Sequence, residues 1–135
     1  NVDRTEHLPP RQHREFYNSQ RATLNITRSA MKEAGYAPSV RLFEAAACGV
    51  PIISDYWPGL DSIFKIGEEI LVSHGPEDTL EHLNGMPAHQ LKAIGENARK
   101  NVLNHHTSKH RAQELVRHYR ESLSKSVEAH EHLAR

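Results

Sequence analysis

Pro38-Ser39-Val40-Arg41-Leu42-Phe43-Glu44-Ala45-Ala46-Ala47-Cys48-Gly49-Val50-Pro51-Ile52-Ile53-Ser54-Asp55 reads as a short helix delivered into a buried strand. Ser39 is a natural N-cap, and the proline before it disfavours helix at earlier positions. Residues 42, 43 and 45–48 are apolar or small, which predicts a helix packed on several sides. Gly49 supplies the stop. Residues 50–53 are then too few for a helix and β-branched enough for a central strand. Two charges sit in this apolar run, Arg41 and Glu44, three residues apart and so on one helix face. A carboxylate there costs several kcal/mol of desolvation, of the order quoted for buried ions, unless something pairs with it. Either Arg41 pairs with Glu44 for structural reasons, or both face a crevice and hold a ligand.

The rest of the chain supplies the frame. Val2-Asp3-Arg4-Thr5-Glu6-His7-Leu8 alternates like an edge strand and stops at Pro9-Pro10. Pro10 suits the first turn of a helix over residues 11–19, with Phe16 and Tyr17 turned inward. Residues 22–27 predict a second strand with Arg28 at its C-terminal end, and residues 29–37 a loop holding Gly35. After the strand at 50–53 comes the turn Asp55-Tyr56-Trp57-Pro58-Gly59, then a brief helical turn near 61–64. Residues 69–72 predict a fourth strand. Pro76 opens a helix with Glu77 and Asp78 in its first turn, where the dipole favours anions, and with Leu80 and Leu83 on its apolar side. Leu91, Ile94, Ala98 and Val102 share a face of the next helix. Thr107 or Ser108 caps a long last one, in which Ala112, Leu115, Val116, Tyr119 and Leu123 recur at helical period. The expectation is an α/β fold: a partial Rossmann-like parallel sheet of about four strands flanked by helices, with a helical C-terminal third. Its core spans residues 1–85 and its C-terminal helices 86–135, within a single domain.

Composition excludes several classes. The 135 residues suit one domain. Lys+Arg and Asp+Glu are 17 each, so a zero formal charge leaves no electrostatic footprint for nucleic acid. The single cysteine, Cys48, rules out an internal disulfide and is read as a reduced core residue. No run approaches the roughly 18 apolar residues of a membrane span, and no signal peptide is visible. A soluble cytoplasmic protein is the expectation. The chain opens with Asn1 rather than methionine, as expected of a piece of something longer. Eleven histidines invite a metal site, and His106/His110 have helical ligand spacing. Without a cysteine partner or a His-Glu-x-x-His pattern they read as surface histidines, and no metal is expected.

Strands alternating with helices imply right-handed crossovers and a ligand site beyond the carboxyl ends of the strands. Arg28, the loop before Ser39, and Asp55-Tyr56-Trp57 all fall on that rim. The N–H groups of Val40, Arg41 and Leu42 face it as an anion site of helix-N-terminus type. Helix-end amides and two arginines suit a phosphate, and Glu44, one turn deeper, suits a pair of neutral hydroxyls. A phosphorylated sugar or a nucleotide presents both.

The run from Arg41 to Asp55 resembles the C-terminal half of GT-B glycosyltransferases, in the bacterial spore-maturation-type branch of group 1. The resemblance extends through Leu24-Asn25-Ile26-Thr27-Arg28, Gly67-Glu68-Glu69-Ile70 and His106-Thr107 followed by Arg111-Ala112. It implies a donor-binding domain whose parent enzyme moves a sugar from a nucleotide-diphosphate sugar to an acceptor. Glu44 then matches the glutamate that accepts from the ribose hydroxyls, and the amides at Ser39, Val40 and Arg41 match the positions against the diphosphate. Arg28 shares the phosphate role by its position, and Asp55 lies on the same rim. Many relatives carry a second glutamate eight residues before the first, in contact with the donor sugar; here that position is Tyr36. No catalytic base is assignable, since the resemblance puts acceptor binding in a preceding N-terminal domain of the same polypeptide. It implies no cofactor and no metal. An open sheet edge is covered by pairing with the first strand or by a homodimer of the fragment. Two alternatives stand beside this reading: a non-catalytic Rossmann-like module binding nucleotide or protein partners, and a flavodoxin- or receiver-type interaction domain.

Overall fold

The computed structural model describes residues 8–36 and 38–133, with 125–133 as backbone. The chain divides into two compact units, Asn1–Leu103 and Asn104–Arg135. In the first, α1 (Pro10–Asn18), β1 (Thr23–Asn25), α2 (Ser29–Ala34), α3 (Val40–Cys48) and β2 (Ile52–Ser54) are followed by a 3-10 turn at Leu60–Ser62. Then come β3 (Leu71–Val72), α4 (Pro76–Gly85) and α5 (Ala88–His105). The strands form one parallel sheet in the order β1-β2-β3. The α/β class and the parallel sheet are as expected, with three strands among the described residues. The edge strand expected over residues 2–8 lies outside them, except for Leu8.

Consecutive side chains of a strand point to opposite faces, and β2 is buried on both. Ile52 joins Tyr17, Leu42, Ala45, Ala46, Trp57 and Phe64 on the α3 side. Ile53 joins Leu71, Leu91 and Ile94 on the α5 side. The expected α5 stripe of Leu91, Ile94, Ala98 and Val102 is buried in full. Two asparagines strap α5 to the turn before β3: Asn101 Nδ2 donates to the Ile63 carbonyl and to Glu69 Oε2, each at 2.7 Å, and Asn97 donates to the Glu68 carbonyl.

Helix α3 ends as its sequence requires. Gly49 adopts φ 75°, a left-handed conformation that only glycine takes without cost. Its N–H donates to the Ala46 carbonyl and that of Val50 to the Ala45 carbonyl, the paired bonds of a Schellman cap. At the other end Ser39 does occupy the N-cap position, yet its side chain makes no capping bond. Cys48 is half-buried against the main core rather than sealed inside it, and burial pushes its thiol pKa up.

Several local expectations are corrected. Residues 29–34 form a helix where a loop was expected; Gly35, at φ 63°, terminates it. Tyr17 is buried, but Phe16 is 41% exposed, because adjacent positions on a helix lie about 100° apart and only one can face α3. Leu83 packs against the second cluster, whereas Leu80 is exposed.

The second unit is α6 (Ser108–Leu133) and its lead-in. Thr107 caps it. The Thr107 hydroxyl and His110 Nδ1 lie 2.7 Å apart, and the Thr107 N–H donates back to the same ring nitrogen at 3.3 Å. This is a capping box with histidine in place of glutamate. Leu115, Val116, Tyr119 and Leu123 are on its surface.

Gly95 of α5 lies directly against the chain reversal that follows α3. A Cβ there would collide with the Gly49 carbonyl and come within 3.0 Å of Pro51 N. Both are backbone atoms of a cap that cannot shift without losing its hydrogen bonds. Alanine raises helix propensity by about 1 kcal/mol, but overpacking costs about 1–3 kcal/mol. The clash wins: Gly95→Ala is expected to lower the melting temperature, whereas Gly85→Ala, whose Cβ meets only Glu81 Cγ at 3.7 Å, is expected to be tolerated. Thermal unfolding of the two variants measures the difference.

Candidate functional site

The register of the sheet aligns Asn25, Ser54 and Val72 in one row at the strand exits. A polar seam holds this rim. Buried Asn25 donates from Nδ2 to Ser54 Oγ at 2.9 Å, and Ser54 Oγ donates to the Asp55 carbonyl at 3.0 Å. Asp55 Oδ1 accepts from both the N–H and the hydroxyl of Thr27, at 2.9 and 2.8 Å, while Oδ2 pairs with Lys32 Nζ at 3.5 Å. Asp55, expected on the rim, is therefore there as a brace whose oxygens are both engaged.

Because α3 runs back from the rim to feed β2, its first residues lie on the strand-exit side. Val40 and Arg41 are exposed. Their N–H groups belong to the first turn and have no acceptor within the helix. The N–H of Leu42, the third expected donor, is already bonded to the Ser39 carbonyl at 3.1 Å. Arg28 is exposed at the N-cap of α2, three residues beyond β1. Tyr36 is 76% exposed at φ 51°, its N–H bonded to the Pro58 carbonyl and its ring lying over Gly59. Any side chain at position 59 would meet that ring within 2.5 Å, and the φ of Gly59 is 99°. The rim segments before α3 and after β2 are thus fastened together.

Glu44 sits one turn into α3 and faces α1. Of the two readings left open for Arg41 and Glu44, the ion pair between them is not formed among the described residues; α1 supplies partners to Glu44 instead. Tyr17 donates its hydroxyl to Glu44 Oε2 at 3.2 Å, and His13 Nδ1 lies 3.5 Å from Oε1. His13 Nε2 lies 3.0 Å from the Leu8 carbonyl. A carbonyl only accepts, so Nε2 carries a proton, and the ion pair with Glu44 forms when Nδ1 is protonated too. The Glu44 side chain keeps 38% of its exposure, so the carboxylate is neither sealed nor saturated. Its two oxygens offer about four lone-pair positions; the protein uses one on Oε2 through Tyr17 and, when His13 is protonated on both nitrogens, one on Oε1. Such a group can accept two further hydrogen bonds from a neighbouring pair of hydroxyls. His13 and Tyr17 went unrecognised as its partners; their signal is the i,i+4 spacing on a helix packed against α3.

A separate cleft of about 490 Å³ opens at the strand exits, lined by Leu24, Asp55, Ser73, His74 and Leu80 among others. Leu24 shares its face of the sheet with Ile53, so this cleft lies opposite α3. Of the expected site residues only Asp55 borders it. Among the described residues no three His, Cys, Asp or Glu are grouped so as to hold a metal ion. Among the same residues no helix is long and apolar enough to cross a membrane.

Burial, with the charge of Glu44 and the hydrogen bond to it, pushes the Tyr17 pKa up to about 12. The folded state thus favours the neutral phenol. That contribution is complete below the unfolded value near 10 and is lost as pH rises through 12. Alkaline unfolding curves are expected to show stability falling over this window, and Tyr17→Phe to flatten the fall.

A profile described as glycosyl transferase-like matches residues 1–117, which contain every site residue named above. No curated protein and no solved structure matches the chain at a significant level. The match extends over most of the sequence, from before α1 into α6, and the chain belongs to the glycosyl transferase-like family.

Proposed function

We propose that the chain is the donor-binding part of a glycosyltransferase that uses a nucleotide-diphosphate sugar. The observation that carries this reading is Glu44: a half-exposed carboxylate with one protein partner on each oxygen, on a helix that begins at the strand exits. In this reading its remaining lone pairs accept the ribose hydroxyls. The N–H groups at Ser39, Val40 and Arg41, with the guanidinium groups of Arg41 and Arg28, receive the diphosphate. Tyr36 stands near the donor sugar. These donors stabilise the leaving group electrostatically, a contribution of a few kcal/mol to the barrier, and no metal or cofactor is required.

The parent reaction is group transfer. An acceptor hydroxyl oxygen attacks the anomeric carbon, the bond from that carbon to the diphosphate oxygen breaks, and the diphosphate departs with the electron pair. The acceptor's proton goes to a base outside this chain, in a preceding domain of a GT-B enzyme of the spore-maturation type, in the bacterial cytoplasm. A second reading, a module that retains nucleotide binding without transfer, is favoured by Tyr36 standing where many such enzymes have a glutamate.

Calorimetric titration of the 135-residue chain with UDP and GDP tests the donor site. Binding is expected to weaken about tenfold or more in Glu44→Ala, as for loss of hydrogen bonds to a charged group. In Arg41→Ala it is expected to lose part of its salt dependence. Affinities unchanged by Glu44→Ala, in a variant that melts normally, would remove the basis of the assignment. Sugar transfer is not expected from this chain alone under either reading.

A further inference from the structure

Resting on the donor-binding reading, we propose that His13 and Tyr17 are positioning residues that fix the Glu44 carboxylate for a ribose cis-diol and so set a preference for ribonucleotides over 2′-deoxyribonucleotides. The two side chains stand one turn apart on α1, with ring centroids 6.3 Å apart and an edge-on arrangement. Each addresses a different oxygen of the same carboxylate. Neither is itself loose. Tyr17 is 6% exposed within the main core, and His13 is anchored through its far nitrogen to the Leu8 carbonyl.

A glutamate on a half-exposed helix face otherwise samples several rotamers, because all its side-chain torsions are free. Anchoring one oxygen would leave the carboxylate plane free to turn about that contact. Anchoring both, as Tyr17 and a doubly protonated His13 do, fixes the plane and leaves a lone pair on each oxygen for a ligand. That pattern matches two vicinal hydroxyls, one donor per oxygen. A 2′-deoxyribose offers only one, so the second oxygen goes without its ligand hydrogen bond. Discrimination between the two sugars thus depends on the carboxylate being held, and α1 does the holding.

The test compares UDP with 2′-deoxy-UDP, and GDP with 2′-deoxy-GDP, on the 135-residue chain, at a pH acidic enough to protonate histidine. The wild type is expected to favour the ribonucleotides, and Glu44→Ala to bring the affinity ratio close to one. Tyr17→Phe and His13→Leu are each expected to reduce the ratio by roughly threefold to tenfold, chiefly by weakening the ribonucleotide. His13→Gln, which keeps a donor toward Glu44, is expected to restore most of it. A purely structural role would lower the melting temperature or weaken both sugars alike and leave the ratio untouched. If Glu44→Ala abolishes the preference while Tyr17→Phe and His13→Leu retain it in full, the positioning role is overturned and the donor site stands. If Glu44→Ala leaves the preference intact, or no nucleoside diphosphate binds, the donor reading fails and this proposal falls with it.

Discussion

Because Gly49 takes a left-handed backbone, α3 ends in two hydrogen bonds and hands the chain to β2 within three residues. The absence of a side chain at Gly95 lets α5 lie against the same carbonyl. The two glycines act together: one turns the chain, and the other lets a helix close over the turn. With α3 packed on β1 and β2 and its end fixed in this way, its direction is set. A helix that enters a parallel strand from the strand's start must itself begin at the strand exits. The placement of the helix N-terminus beside the polar rim therefore follows from backbone geometry at the far end of the helix, where no ligand is involved.

Two carboxylates near this rim illustrate how environment separates an acid fully engaged by the protein from one with capacity to spare. Asp55 receives two hydrogen bonds from Thr27 and an ion pair from Lys32, and is mostly shielded. Its charge is used within the protein, tying the segment after β1 to the turn after β2. Glu44 is also near a buried core, but its two partners approach from one side and leave the opposite side to solvent. A carboxylate fully compensated by protein groups has little left to offer a ligand. One with no partners would be mobile and, if buried, costly. Glu44 falls between these limits, which is the condition a recognition residue needs.

Much of the architecture could be read from sequence because the strongest signals coincide. The apolar density of residues 42–53, the stop at Gly49 and the four-residue stripe of α5 all reflect burial, which patterning reports directly. The failures have equally definite causes. Ser-Ala-Met-Lys-Glu-Ala of α2 buries no residue, so no apolar period marks it. At residues 16 and 17 two aromatic neighbours compete for one inward direction, and sequence does not say which wins. Whether Arg41 and Glu44 pair at i,i+3 or face a crevice stays open in the sequence, because the partners of Glu44 stand on another helix. Contacts between elements distant in sequence leave no local trace. His13 was one of eleven histidines, and nothing distinguishes it until α1 is laid against α3.

The electrostatics of the rim follow from the same division of labour. Across the whole sequence the charges cancel, so net charge says nothing about anion binding. What matters is which charges are already neutralised where a ligand could approach. Asp55, the one acid at the strand exits among the expected residues, is offset by Lys32 and by the Thr27 donors. Arg28 and Arg41 are exposed and form no ion pair among the described residues, and the first-turn amides of α3 add partial positive charge. Glu44 lies one turn below, its charge directed toward His13 and the Tyr17 hydroxyl. The result is a vertical separation on a single helix: an electropositive mouth suited to phosphate oxygens, and beneath it an acceptor suited to neutral hydroxyls. A ligand with only phosphate would find repulsion at the lower level, and one with only hydroxyls would leave the upper level unused. A molecule carrying both, joined at the length of about one helical turn, answers the whole arrangement.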